Sequence, residues 1–154
     1  MLTHVDDCII VRDKMDRIES LITSLHDGKE NFVLQEKGSI DKYLGVSITQ
    51  LDDASFELTQ PFLIERISFF LGIANGRTNE HETPVSKPLL NKDLNGVPRK
   101  YIWEYRGAIG MLTYLTGSVR PDIAMEVHQC ARFSANPMHS HEQAVMQIGQ
   151  YLSS

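Results

Sequence analysis

The sequence predicts an α+β chain, with short antiparallel strands and a helix in residues 1–60 and a mostly helical region in residues 61–154. Three observations carry this prediction. Short apolar runs separated by turn residues crowd residues 1–60. Apolar residues at helical spacing dominate after Pro61. Between the helical stretches, residues 74–100 hold Asn75-Gly76, Pro84, Pro88, Asn95-Gly96 and Pro98 with few apolar clusters, the composition of a connector.

Leu2-Thr3-His4-Val5 and Cys8-Ile9-Ile10-Val11 flank Asp6-Asp7 and predict a strand, a tight turn and a strand. Ile18, Leu21, Ile22 and Leu25 fall at i, i+3, i+4 and i+7, which predicts an amphipathic helix from about Asp16, stopped by Gly28. Phe32, Val33 and Leu34 suggest a short strand ending near Gly38. A hairpin follows, formed by Tyr43–Ile48 and Ser55–Leu58, with Asp52-Asp53-Ala54 in its turn.

Pro61 suits the first turn of a helix, because its missing N–H would have no intrahelical partner there. Leu63, Ile64, Ile67, Phe70 and Leu71 give that helix an apolar face, and Gly72 can close it. The 74–100 connector is the expected place for a subdomain boundary or a mobile segment. Trp103–Thr116 then predicts a helix with Ile109, Leu112 and Leu115 in its stripe. Arg120-Pro121-Asp122 starts another through about Phe133, Asn136-Pro137 breaks it, and His141–Leu152 forms a last helix.

At 154 residues, 42% hydrophobic and 23% charged, the chain can bury a real core as one domain or two small subdomains. No apolar run approaches the length of a membrane span. Met1–Val11 has no basic n-region and contains Asp6 and Asp7, so it does not resemble a signal peptide. Cys8 and Cys130 form no close-spaced motif and are expected to be reduced, buried thiols of an intracellular protein.

The net charge of −5 is unevenly spread. Residues 1–60 hold 6 Lys/Arg against 12 Asp/Glu, and residues 61–154 hold 9 against 8. Nucleic-acid-binding domains are usually basic, so composition alone does not suggest one.

The sharpest chemical feature is His4-Val5-Asp6-Asp7-Cys8-Ile9-Ile10-Val11. Adjacent carboxylates at a hairpin end offer hard oxygen ligands to Mg²⁺. Two-metal phosphoryl and nucleotidyl transfer needs such ligands held rigidly. An ordinary Asp-rich turn looks the same, and Asp52-Asp53 supplies one within this chain. His139 and His141, with His128 and Cys130 nearby in sequence, lack the usual zinc spacing, and the two are expected at the surface or in caps. Met111, Met125, Met138 and Met146 suit gap filling in helical cores.

The order of motifs is more specific than the Asp pair. After the Asp-Asp hairpin come Tyr43-Leu44-Gly45-Val46, Leu58-Thr59-Gln60, and the run Tyr105-Arg106-Gly107-Ala108-Ile109-Gly110-Met111-Leu112-Thr113-Tyr114-Leu115. Arg120-Pro121-Asp122-Ile123-Ala124, Arg132-Phe133-Ser134-Ala135-Asn136-Pro137 and His141 close the series. This ordered set resembles the reverse transcriptase of copia-type retrotransposon Pol polyproteins over nearly the whole chain.

The resemblance implies a partial polymerase palm in residues 1–60 and a helical thumb-like region in residues 61–154. Asp6 and Asp7 match the family's catalytic, metal-binding palm carboxylates, with Asp6 the principal ligand. Tyr43, Leu44 and Gly45 match a hairpin resembling a primer grip, where glycine lets the backbone approach nucleic acid closely. Arg106 and Arg120 match family positions. Either could meet a phosphate, and a buried Arg paired with a carboxylate such as Asp122 is an equal alternative.

The implied activity is RNA-directed DNA polymerization in the complete enzyme, with template–primer, dNTP and Mg²⁺. Other Pol segments are implied partners, no membrane is involved, and the implied location is cytoplasmic, in virus-like particles of the parent element. Several features depart from the family pattern: His4 stands where an aromatic residue is usual, and the upstream palm Asp and the fingers have no counterpart here. Gln150-Tyr151-Leu152-Ser153-Ser154 also diverges from the string that leads the family into RNase H. The expectation is therefore a fragment of a decayed element, inactive alone and binding Mg²⁺ weakly or not at all. The alternative is a non-catalytic fragment that binds nucleic acid or another protein.

Overall fold

The computed structural model describes residues 2–4, 7–11, 13–27, 33, 35, 40–73, 82–84 and 90–153, with the side chains of residues 2–4 and 7 outside that description. The chain forms two compact units, Met1–Tyr43 and Leu44–Ser154.

In the first unit, β1 (Leu2–His4) pairs antiparallel with β2 (Asp7–Ile9). The register sets Leu2 against Ile9, Thr3 against Cys8 and His4 against Asp7. Asp7 is therefore the first residue of β2 rather than a turn residue, because only Val5 and Asp6 separate the paired ends. Ile10 and Val11 lie beyond the strand. Cys8 is exposed, unlike the buried thiol expected.

Helix α1 (Met15–His26) has the expected stripe: Ile18, Leu21, Ile22 and Leu25 are its half-buried positions. None of its residues is fully buried. The expected strand at Phe32-Val33-Leu34 falls mostly outside the described residues, and Val33 itself belongs to no regular element. The unit ends with the short strand β3 (Lys42–Tyr43).

The second unit opens with an antiparallel hairpin of β4 (Val46–Gln50) and β5 (Phe56–Thr59). Its loop closes by Ala54 N–H donating to Leu51 O at 3.0 Å and Leu51 N–H to Ser55 O at 2.9 Å. Ala54 takes φ 64°, the left-handed position that follows a type I turn in a three-residue hairpin loop.

Helix α2 (Pro61–Leu71) follows, with Pro61 in its first turn. Gly72 at φ 72° caps it, its N–H reaching the Phe69 and Ser68 carbonyls. The remaining helices are α3 (Tyr105–Ser118), the 3₁₀ turn Pro121–Ile123, α4 (Ala124–Ala131) and α5 (His139–Leu152). Glu104 caps α3 by accepting from the Arg106 and Gly107 N–H groups, so this helix begins after Trp103.

The core of the second unit is helical. Ile67 and Leu71 of α2 meet Tyr105, Ala108, Ile109, Leu112 and Leu115 of α3, together with Ile123, Val127, Cys130, Ala144, Val145, Ile148 and Leu152. A mid-helix glycine ordinarily costs about 1 kcal/mol relative to alanine. Gly149 has a reason to be one: a Cβ there would come within 2.5 Å of Leu71 Cδ1 and 2.6 Å of Ile73 Cδ1. Its absence lets α5 approach α2 closely. Met111 and Met146 pack on this core as expected, whereas Met125 is 64% exposed on the outer side of α4.

Residues 90–100 of the connector lie along the start of α5. His139 N–H donates to Val97 O at 2.9 Å, and Ser140 Oγ donates to Asp93 Oδ2 at 2.9 Å.

Candidate nucleic-acid interface

The candidate residues fall on different elements. Asp6 lies outside the described residues, and Asp7 is placed by its backbone at the start of β2. Among the described residues, no group of three or more His, Cys, Asp or Glu side chains is arranged to hold a metal ion. The donor chemistry of Asp6-Asp7 suits a hard cation. Two carboxylates do not by themselves complete the near-octahedral shell that Mg²⁺ demands.

Tyr43, Leu44 and Gly45 sit together where β3 passes into β4. Tyr43 is half-buried at the end of β3. Leu44 and Gly45 have φ of 49° and 79°, so both adopt the left-handed region. Two consecutive positive φ values are the signature of a type I′ hairpin turn. Glycine accepts this conformation freely, whereas a leucine there costs roughly 1–2 kcal/mol. Strain of this kind persists only where surrounding structure holds it. Here the holding group is Tyr114 of α3, whose hydroxyl donates to Leu44 O at 2.7 Å. Among the described residues, nothing lies within 4 Å of the place a Gly45 Cβ would occupy.

The other Asp pair is a structural turn. Asp53 Oδ1 accepts from Ser55 Oγ at 2.5 Å and from Ser55 N–H at 2.9 Å. These bonds, the hydroxyl first, hold the Asp53 carboxyl below its ordinary pKa.

The two arginines matched by the motif strings are already engaged. Arg120 makes a two-pronged pair with Asp122, Nε to Oδ1 at 2.9 Å and an Nη to Oδ2 at 2.8 Å. The Arg120 hydrogen bonds lower the Asp122 pKa, and Tyr151 adds its hydroxyl to Oδ2 at 3.1 Å. Of the two readings open for Arg120, the carboxylate pair is the one present, though the arginine side chain stays 28% exposed rather than buried. Arg106 Nε donates to Ser134 O at 3.1 Å.

A buried polar cluster at the start of α5 carries more of the structure than the motifs indicated. Glu142 has no exposed side-chain surface. Its carboxylate accepts from Arg99 Nε at 3.0 Å, Lys100 N–H at 2.9 Å and Tyr101 N–H at 3.2 Å, and pairs with His139 Nδ1 at 3.2 Å. Burial pushes the Glu142 pKa up, but these donors, Lys100 N–H foremost, outweigh it and hold the carboxyl below its usual value. The Arg99 guanidinium also lies over the Trp103 ring at 4.8 Å.

His141 is 1% exposed, not a surface residue. The capping role expected for it is present: its Nδ1 accepts from Met138 N–H at 2.9 Å at the start of α5. Its Nε2 meets Asn91 O at 2.8 Å, and its ring stacks on Phe133 at 4.1 Å. With Nδ1 accepting from a backbone N–H, Nε2 is the ring nitrogen left to donate to Asn91 O. Glu142 gave a signal in the sequence. It shares a spacing with Val145, Gly149 and Leu152, which puts a carboxylate on the buried face of α5. Tyr105 and Cys130 are also linked, the Tyr105 hydroxyl donating to Cys130 O at 3.0 Å. Burial pushes the Cys130 thiol up to about 12, which makes it unreactive.

No helix among the described residues is long and apolar enough to cross a membrane. No protein-family model matches the chain. A transposon Ty5-1 protein of Saccharomyces cerevisiae is 24% identical over 152 residues, covering 97% of this chain and 47% of that protein. The retrovirus-related Pol polyprotein from transposon TNT 1-94 of Nicotiana tabacum is 32% identical over 167 residues, covering 99% of this chain and 12% of the polyprotein. The chain thus spans less than half the length of either relative. It has a distant relationship to retrotransposon Pol-related proteins. No solved structure matches it.

Proposed function

We propose that this chain is the end of the palm and the thumb-like region of a copia-type retrotransposon reverse transcriptase. The complete enzyme would carry out RNA-directed DNA polymerization, and this segment alone would not. Residues 1–60 are the palm part and residues 61–154 the thumb-like part, with residues 74–100 connecting the helices.

The observation that carries this reading is the clamp between Leu44 and Tyr114. Both belong to motif strings shared with the family, and they lie 70 residues apart in sequence. The fold brings them into one hydrogen bond, at a strained turn where a primer-grip hairpin is expected. The distant relationship to Pol proteins, which runs along 97–99% of this chain, supports the same reading.

In this reading Asp6 and Asp7 hold Mg²⁺ in the complete enzyme, with Asp6 the principal ligand. When bound, the ions activate the primer hydroxyl and neutralise charge on the triphosphate. Tyr43, Leu44 and Gly45 present backbone to the primer strand. The helices from α2 onward flank the template–primer duplex. The balanced charge of residues 61–154, 9 basic against 8 acidic, predicts weak duplex affinity.

The test is fluorescence anisotropy of the full chain with a labelled RNA–DNA hybrid at low and moderate salt. Expected is salt-dependent binding with a Kd in the range of about 10–100 µM, weakened by Tyr43→Ala and by Gly45→Ala. The absence of hybrid binding at low salt, or binding indifferent to both substitutions, would overturn the proposal.

A further inference from the structure

Helix α2 has apolar residues on two sides. Ile67 and Leu71 are buried in the core, with Leu63, Ile64 and Phe70 packed against it. On the opposite side Phe62 is 72% and Phe69 is 87% exposed. Glu65 and Arg66 lie exposed between them. Residues 62, 65, 66 and 69 are spaced i, i+3, i+4 and i+7, so they form one stripe along the helix. Among the described residues, neither the Glu65 nor the Arg66 side chain has a hydrogen-bond or ion-pair partner. The described residues leave this stripe exposed, and two large exposed aromatics in one stripe suit a surface of contact.

The order Phe-Glu-Arg-Phe has a symmetry of its own. About the midpoint between Glu65 and Arg66, its apolar ends mirror each other and its charges are opposite. With a rise of about 1.5 Å per residue, each Phe lies roughly 5 Å along the axis from that midpoint. A second α2, antiparallel and related by a two-fold axis through the midpoint, therefore sets Phe62 opposite Phe69 of the other copy. The same operation sets Glu65 opposite Arg66 of the other copy, and this occurs twice. Apolar meets apolar, and each charge meets its opposite.

We propose that this stripe is a self-association surface, on which a second copy of this chain docks antiparallel through α2. Two-fold contacts are isologous, so one patch must complement itself, and this patch does. The stripe has one acid, one base and two phenyl rings, with no net charge to attract phosphates. That favours a second copy of the chain over nucleic acid. A single helix pair buries less than the roughly 1,200 Å² of stable interfaces, so the dimer is a weak, concentration-dependent one. The proposal stands independently of the polymerase reading.

The experiment is sedimentation velocity on the full chain across a wide concentration range. A monomer–dimer equilibrium is expected. Glu65→Arg alone and Arg66→Glu alone each bring like charges together and weaken the dimer about tenfold or more. The double exchange Glu65→Arg with Arg66→Glu restores opposite charges in the same symmetry and recovers the wild-type constant to within about threefold. Phe69→Ser weakens it independently of charge. All these positions are exposed, so circular dichroism and thermal midpoints should stay at wild-type values.

A chain monomeric at every concentration would overturn the proposal, as would single and double charge exchanges that behave alike. A result in which the variants leave sedimentation unchanged but weaken RNA–DNA hybrid binding would also overturn it and assign the stripe to nucleic acid.

Discussion

The hydroxyl of Tyr114 donates to the carbonyl oxygen of Leu44 at 2.7 Å, tying the middle of α3 to a turn in which Leu44 holds φ at 49°. The bond accounts for a conformation that leucine does not choose for itself. Tyr114→Phe removes the donor and leaves the ring. We expect a stability loss of about 0.5–1.5 kcal/mol by urea denaturation, typical of one net hydrogen bond. Hybrid binding should fall further than stability does, because the turn loses its shape before the helices lose their packing. Equal loss in both measurements would mean that the clamp serves stability alone.

The Glu142 cluster predicts an acid limb. The folded-state pKa of Glu142 is lowered from 4.5, so its ionised form is bound better in the folded chain. Its contribution is complete above pH 4.5 and is lost as pH falls through the depressed native value. Asp122, also lowered by its Arg120 bonds, adds in the same direction. Glu142→Gln should cost about 2–3 kcal/mol near neutrality, because it weakens hydrogen bonds to a buried charge. It should also flatten part of the acid limb. Stability profiles of the two proteins that stay parallel from neutral to acid pH would remove Glu142 from this account.

Ala54 provides a test of backbone strain away from any site. It holds φ at 64° in the β4–β5 loop. Ala54→Gly relieves roughly 1–2 kcal/mol of left-handed strain and adds about 0.4–1 kcal/mol of unfolded-chain entropy. A net stabilisation of about 0.5–1 kcal/mol is expected, read as a raised denaturation midpoint. A destabilised variant would show that the loop does not adopt this turn in solution.

Metal binding is expected to separate the two Asp pairs. Asp53 is engaged by Ser55 through two hydrogen bonds, so the Asp52-Asp53 turn is a control of similar charge. Mn²⁺ should broaden NMR signals near Asp6 and Asp7 more than those near Asp52. Affinity should be low, about millimolar, because Mg²⁺-type cations need more ligands than two carboxylates supply. Equal broadening at both turns would reduce the Asp6-Asp7 pair to local negative charge.

Activity follows the same logic. Purified full chain with primer–template, dNTP and Mg²⁺ should not extend the primer. Extension that disappears in Asp6→Ala would reverse the expectation of inactivity while supporting the catalytic assignment.

Local patterns in the sequence were enough to place several elements. The spacing of Ile18, Leu21, Ile22 and Leu25 marked α1, and Pro61 and Gly72 bracketed α2, because capping and periodicity act within a few residues. Ile109, Leu112 and Leu115 marked the buried face of α3 for the same reason. The Asp-Asp hairpin was legible as two paired strands, but not its register. Which residues pair depends on how the strands align, and that alignment moved Asp7 out of the turn and into β2. His141 looked like a surface or capping residue. Its burial depends on Asn91 and Phe133, one of them 50 residues away in sequence, and no local pattern contains that distance. Glu142 ionised in the core, and Leu44 held in the left-handed region, likewise rest on Arg99, Lys100, Tyr101 and Tyr114. A buried charge and a strained turn are unfavourable alone and become stable only when tertiary contacts supply their partners.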